Sequence, residues 1–189
     1  MLDHADRAAL LGLARNTLRA HLAGEGAPRP DLSAPALLEK KGAFVTLYRE
    51  GKLRGCIGQI VGDRPLHEIV ARCAISAACR DPRFPPVTAE ELRRLELEIS
   101  VLGPLRRIGD VGEIRVGVHG LVISRGMNRG LLLPQVATDN GWDRRTFLAH
   151  ACLKAGIDPS AWSDPATEIQ VFEAEVFSES GLMAGPTLS

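Results

Sequence analysis

Residues 42–61 read GAFVTLYREGKLRGCIGQIV, and this stretch decides the fold. β-branched and aromatic residues dominate 42–49 and 52–61, and Glu50-Gly51 between them suits a tight two-residue turn, so the segment predicts an antiparallel hairpin. Alternation along the second arm puts Arg54, Cys56, Gly58 and Ile60 on one face, with Leu53, Gly55, Ile57 and Gln59 on the other. On that reading a guanidinium and a thiol lie about 6–7 Å apart along one face. A cation so placed lowers a cysteine pKa from about 8.5. Gly55 and Gly58 are expected to clear space for a ligand or a second backbone. Cys56 is therefore a candidate nucleophile. The alternative is structural, since free cysteine is often buried and glycine in a strand often marks a bulge.

Outward from the hairpin the pattern is mixed. Asp3 caps an expected helix to about residue 23, with Leu10, Leu11, Ala14, Leu18 and Leu22 at three- and four-residue steps. A proline-rich connection at 27–35 and a short helical turn at 36–41 lead into the hairpin. After it, Pro65 opens a helix whose Leu66, Ile69, Val70, Cys73, Ala74 and Ala77 form an apolar stripe to lie on a sheet. DPRFPP (81–86) cannot be helical, because three prolines remove donors and fix φ, and its X-Pro bonds are candidates for the cis form. Thr88 caps a short helix. LELEISVLG (95–103) alternates as a half-buried strand. Glycines at 117, 120, 126 and 130 suggest short strands with tight turns. Pro134 and Asp143 each begin a helix, the second stopped by Gly156, and residues 167–179 form a last strand. The expected class is α+β, an antiparallel sheet with flanking helices and a smaller second lobe, a cleft lying between them. Residues 1–180 form one domain of two intertwined lobes and 181–189 a flexible tail.

Composition narrows the function classes. Lys+Arg and Asp+Glu are both 23 and aromatics only 4%, which counts against a nucleic-acid binder. The N-terminus has acids where an export signal needs cations, and no apolar run approaches the roughly 18 residues of a membrane span. With four cysteines and no CxxC pair, the chain reads as a cytoplasmic protein with free thiols. Cys73, Cys79 and Cys152 are assigned to the core. No metal site is expected, since His4, His21, His67 and His150 show no HxH or HxxxH spacing. GxGxxG and GxxxxGK[ST] are absent, so nucleotide cofactors are not indicated.

Other candidates for chemistry lie outside the hairpin. His119, in GVHGL, is expected at an exposed corner between strands, able to titrate and act as base or proton relay. Asp81 and Arg83 sit on the rigid 81–86 loop, as binding wall or as a local structural pair. Gln135, at a strand-to-helix change, would bind a ligand or cap the helix.

The segments GAFVTLYREGKLRGCIGQI, AACRDPRFPPVTAEEL, LEISVLGPL, VGVHGLVI, RGLLLPQVATDNGWDRRTFLAHACLKAG and VFEAEVFSE, in this order, resemble the AMMECR domain family, also called AmmeMemoRadiSam system protein A. The likeness covers about residues 36–179. It implies the two-part α+β fold, with the LRGCIG strand bordering the space between the parts. It implies that the activity is not settled, and the cofactor stays unknown. In prokaryotes it implies association with a Memo-like protein and a radical S-adenosylmethionine protein. The characteristic positions carried over are Leu53 to Gly58, Asp81 to Phe84, His119, Gly120, Pro134 and Gln135. Gln59 departs from the small residue usual there. The candidate site is therefore Cys56 and His119 for chemistry, with Arg54, Gly55, Gly58, Asp81, Arg83 and Gln135 for binding a small molecule or a partner's peptide. The rival reading is a non-catalytic adaptor or regulatory domain.

Overall fold

The computed structural model describes residues 1–26 and 34–183, so most of the connection expected at 27–35 and the last six residues of the expected tail lie outside it. The fold is α+β, built of antiparallel strands with flanking helices. Two compact units divide the chain, one formed by Met1–Val101 with the chain from Glu175 onward, the other by Leu102–Ala174.

In the first unit α1 (His4–Leu22) is capped by Asp3, whose carboxylate accepts from the Asp6 N–H while the Asp6 carboxylate accepts from the Asp3 N–H. This reciprocal cap fixes the helix start. The one-turn α2 (Pro35–Leu38) precedes the hairpin of β1 (Ala43–Arg49) and β2 (Lys52–Gln59). Glu50 and Gly51 both have positive φ, 52° and 73°, as the expected tight turn requires. On its other side β1 pairs antiparallel with β3 (Leu95–Leu102), matching Val45 to Ile99 and Leu47 to Leu97. α3 (Leu66–Cys79) buries the six residues of the expected stripe, with Pro65 as its N-cap residue rather than inside its first turn. That stripe packs with Leu10, Leu11, Leu18, Val45, Leu47 and Ile99 in one core. Each fully buried leucine or isoleucine there contributes roughly 1.5–3 kcal/mol, enough to fix α3 on the sheet. Thr88 caps α4 (Ala89–Leu92) as expected.

The second unit holds the short β4 (Arg106–Arg107), then β5 (His119–Arg125) and β6 (Asn128–Leu132). Helices α5 (Pro134–Asp139) and α6 (Arg144–Lys154) follow, with Pro134 at the first turn of α5 and Asp143 capping α6. β7 (Glu168–Ser178) pairs with β5 and β4, and Phe147, Leu148 and Ala151 of α6 pack on Leu121, Ile123 and Ile169. From Glu175 β7 belongs to the first unit. There α7 (Glu179–Met183) follows, so residues 181–183, expected as tail, are helical.

Candidate functional site

β2 does not alternate as its sequence suggests. Leu47 pairs with Gly55 and Tyr48 with Leu53, so Arg54 is an extra residue, a β-bulge without a partner on β1. A bulge re-aims one side chain. The Arg54 guanidinium goes to Glu91, with Nε at 2.6 Å from Oε1 and Nη2 at 3.0 Å from Oε2, and donates to the Pro85 carbonyl at 2.9 Å. Its Nη1 is buried with no hydrogen-bond partner, and the Phe84 ring lies 5.7 Å from the guanidinium carbon. The ring face offsets part of the cost of that unpaired donor. The expectation that Arg54 acts on the thiol therefore fails. Arg54 and Glu91 are only 12% and 13% exposed, and the pair ties β2 to α4, while the Pro85 carbonyl ties it to the loop before that helix.

Gly55 and Gly58 do not clear ligand space either. A Cβ on Gly55 would stand 2.3 Å from the Ala77 carbonyl oxygen of α3, and one on Gly58 would enter the Phe44 ring. Backbone and ring fill what the glycines vacate.

Cys56 sits on the sheet face opposite α3. Thr46 is its cross-strand neighbour and donates Oγ1–H to the sulfur at 3.3 Å. Glu98 is the next residue in the same cross-strand row, beside Thr46 on β3, and accepts from the Tyr48 hydroxyl at 3.4 Å. Burial pushes the Cys56 thiol up, against the lowering effects of Thr46 and then Arg83, while Asp81 and Glu98 push it further up. At neutral pH the sulfur is a thiol.

Asp81 is the organising residue of this constellation. Its carboxylate, 2% exposed, accepts from the Cys56 N–H at 2.9 Å, the Arg83 N–H at 3.1 Å, and Arg83 Nε and Nη2 at 2.9 and 2.6 Å. β2 ends the strand order, so its outward N–H needs such an acceptor. The Arg83 guanidinium holds Asp81 well below the usual carboxylate range, reinforced by the two backbone N–H groups against the opposing effect of burial. Arg83 is 51% exposed, and Phe84 stands 5.4 Å from its guanidinium carbon. One phenyl ring therefore borders two guanidinium groups. The X-Pro bonds of this loop are trans.

His119 and Gln135 belong to the second unit, with Gln135 in the first turn of α5. His119 is not an exposed corner. It starts β5 on the row continued by the core residues Leu121 and Ile123, opposite Glu173, and its side chain is 7% exposed. The Arg115 N–H donates to Nδ1 at 3.2 Å. Burial and then the Arg115 charge push its pKa below the usual imidazole value, so the ring is neutral at pH 7.

Among the other cysteines Cys73 and Cys152 are buried and Cys79 partly buried against the core, as expected. No group of three or more potential ligands able to hold a metal occurs among the described residues, and no helix there is long and apolar enough to cross a membrane. Sequence reading missed Thr46, Tyr48, Glu91 and Glu98. Thr46 and Glu98 were visible as polar residues in apolar strands, but only register puts them in one row with Cys56.

The AMMECR1 family model matches residues 11–177. The chain belongs to the AMMECR1 family. It is 45% identical to a protein of Methanothermobacter thermautotrophicus over 91% of this chain and 93% of the relative. It is 43% identical to a protein of Methanosarcina barkeri over 95% and 93%. The crystal structure of the uncharacterized protein PH0010 from Pyrococcus horikoshii shares the fold, with a TM-score of 0.87 and 42% identity over 94% of this chain and 93% of that one. These relatives span nearly the whole chain and carry no named activity.

Proposed function

We propose that this AMMECR1-family protein is a binding component of a redox or radical-linked modification pathway. Its Cys56 strand and 81–84 loop present a preset surface to a small molecule or a partner's peptide. The observation that carries this reading is that the charges around the thiol are spent on one another. Arg54 is committed to Glu91 and Asp81 to Arg83 and the Cys56 N–H, while burial keeps the sulfur protonated. A nucleophilic thiol needs a cation or base directed at it. This site instead offers a half-exposed guanidinium beside an aromatic ring, with a thiol behind, which suits recognition of an anionic or carbonyl-bearing group. The partner in this reading is a Memo-like or radical S-adenosylmethionine protein, and its support is the family resemblance.

The test is iodoacetamide labelling of Cys56 against pH, followed by peptide mass mapping. The expected midpoint lies above the ordinary thiol value of about 8.5. Fast labelling with a midpoint below 7 overturns the reading in favour of an activated nucleophile. In calorimetric titration against a Memo-like partner, Cys56→Ala is expected to keep binding and Arg83→Glu to lose it.

A further inference from the structure

A second set of polar groups surrounds a cavity of about 230 Å³ lined by Pro104, Arg106, His119, Val171, Phe172 and Glu173, all in the second unit. His119 decides what it can hold. The Arg115 backbone N–H can only donate, so Nδ1 must be the acceptor and the proton of the neutral ring sits on Nε2. The Arg115 Nη2 atom, 3.4 Å from Nε2, is then a donor facing a donor and cannot satisfy it. Glu173 Oε1, the carboxylate oxygen beside it, is 3.9 Å away, beyond hydrogen-bond range. A side chain more than nine-tenths buried therefore carries an unsatisfied N–H on the edge that faces Glu173, the residue with which it lines the cavity.

Buried donors are normally paired, and an orphan calls for an acceptor from outside the chain. The surrounding charges narrow its type. Arg115 lies beside Nε2, and Arg106 stands on the cavity wall, and each is in an exposed ion pair, with Glu173 and Glu113 respectively. Exposed pairs of this kind contribute little and exchange easily for a ligand. Pro104, Val171 and Phe172 supply an apolar wall. We propose that this cavity binds the carboxylate of a small apolar acid or of a peptide C-terminus. One carboxylate oxygen accepts from His119 Nε2–H, and Arg115 and Arg106 turn from Glu173 and Glu113 to the ligand. The site is built without any residue of the Cys56 constellation, so the two readings fail separately.

The test is titration of the intact chain, labelled with ¹⁵N, with phenylacetate, phenylacetamide, and the tripeptide Ala-Ala-Phe with a free or an amidated C-terminus. Phenylacetate is expected to shift the His119 ring nitrogens, and phenylacetamide to bind about tenfold more weakly because it lacks the charge. Binding of the free-acid peptide and not the amide assigns the site to peptide ends, whereas binding of phenylacetate alone assigns it to small acids. His119→Phe, folded by its dispersed amide spectrum, is expected to lose phenylacetate binding, and Cys56→Ala to keep it. Equal binding by His119→Phe and wild type, or no shift with either acid, overturns the proposal. Arg106→Ala in place of His119→Phe checks it independently should the latter not fold, with a severalfold loss expected and an unchanged affinity overturning it.

Discussion

At the scale of single residues, Asp81 joins the β2 edge to the loop that follows α3. Four donors from Cys56 and Arg83 converge on a carboxylate that is 2% exposed. Asp81→Ala leaves the Cys56 N–H without its acceptor and the Arg83 guanidinium without its partner. The expected loss is about 2–3 kcal/mol, short of the full cost of breaking a buried pair because Arg83 is half in solvent. Chemical denaturation of the variant measures it, and Asp81→Asn, which keeps one acceptor oxygen, is expected to lose less. A shift below about 0.5 kcal/mol, the ordinary range of a surface change, would show that the carboxylate organises nothing. The sequence named Asp81 and Arg83 but not their link to Cys56, because a contact between positions 25 apart depends on where α3 ends and how the loop returns.

At the scale of the element, β2 shows where reading by periodicity stops. The hairpin, its turn, the α3 stripe and the helix caps were all legible, since each is set by neighbours a few residues away. The bulge at Arg54 was not, because it exists only in the pairing of β2 with β1. Nor was the use of Gly55, which depends on α3 crossing so close that the Ala77 carbonyl occupies the place of a Cβ. Gly55→Ala is therefore expected to force α3 off the strand at a cost of about 2 kcal/mol, within the range for overpacked cores. Gly12, in the middle of α1 with open space around its Cβ position, is the contrasting case. Gly12→Ala is expected to stabilise by about 0.5–1 kcal/mol through helix propensity. Thermal melts of the two variants should move in opposite directions. A rise in both would show that close approach at Gly55 is not what selects glycine there.

At the scale of the whole molecule, the chain leaves its first unit at Val101 and re-enters it at Glu175, so that unit is closed by contacts distant in sequence. Glu175 accepts from the Leu2 N–H and from Arg7; Glu179 binds Arg15 and accepts from the Leu97 N–H; Phe177 is in the core. Removing residues from 179 onward is expected to strip Arg15 of its carboxylate partner and lower stability by about 1–3 kcal/mol, the range for a charged hydrogen-bonded group. Glu179→Gln should reproduce part of that loss in a denaturation experiment.

The charges also predict how stability changes with acid, in two separate windows. Arg54 holds the Glu91 carboxyl below its usual range, as Arg83 does for Asp81, so both carboxylates favour the folded state above the unfolded values of about 4. Protonation starts first in the unfolded chain, so this stabilisation drains away as pH falls below about 4 toward the lowered folded values. His119 acts higher up. Its folded pKa is pushed down by burial and then by Arg115, so the unfolded chain takes up a proton first as pH falls through about 6.5, and stability declines from there until the folded ring also charges. The melting temperature is therefore expected to fall in two steps on acidification. His119→Gln should flatten the step near pH 6 and leave the lower one, while Asp81→Asn with Glu91→Gln should start lower and flatten the step below pH 4. A single step in the wild type, unchanged by His119→Gln, would mean that the imidazole is free to charge in the folded protein, and that burial and Arg115 do not hold its pKa down.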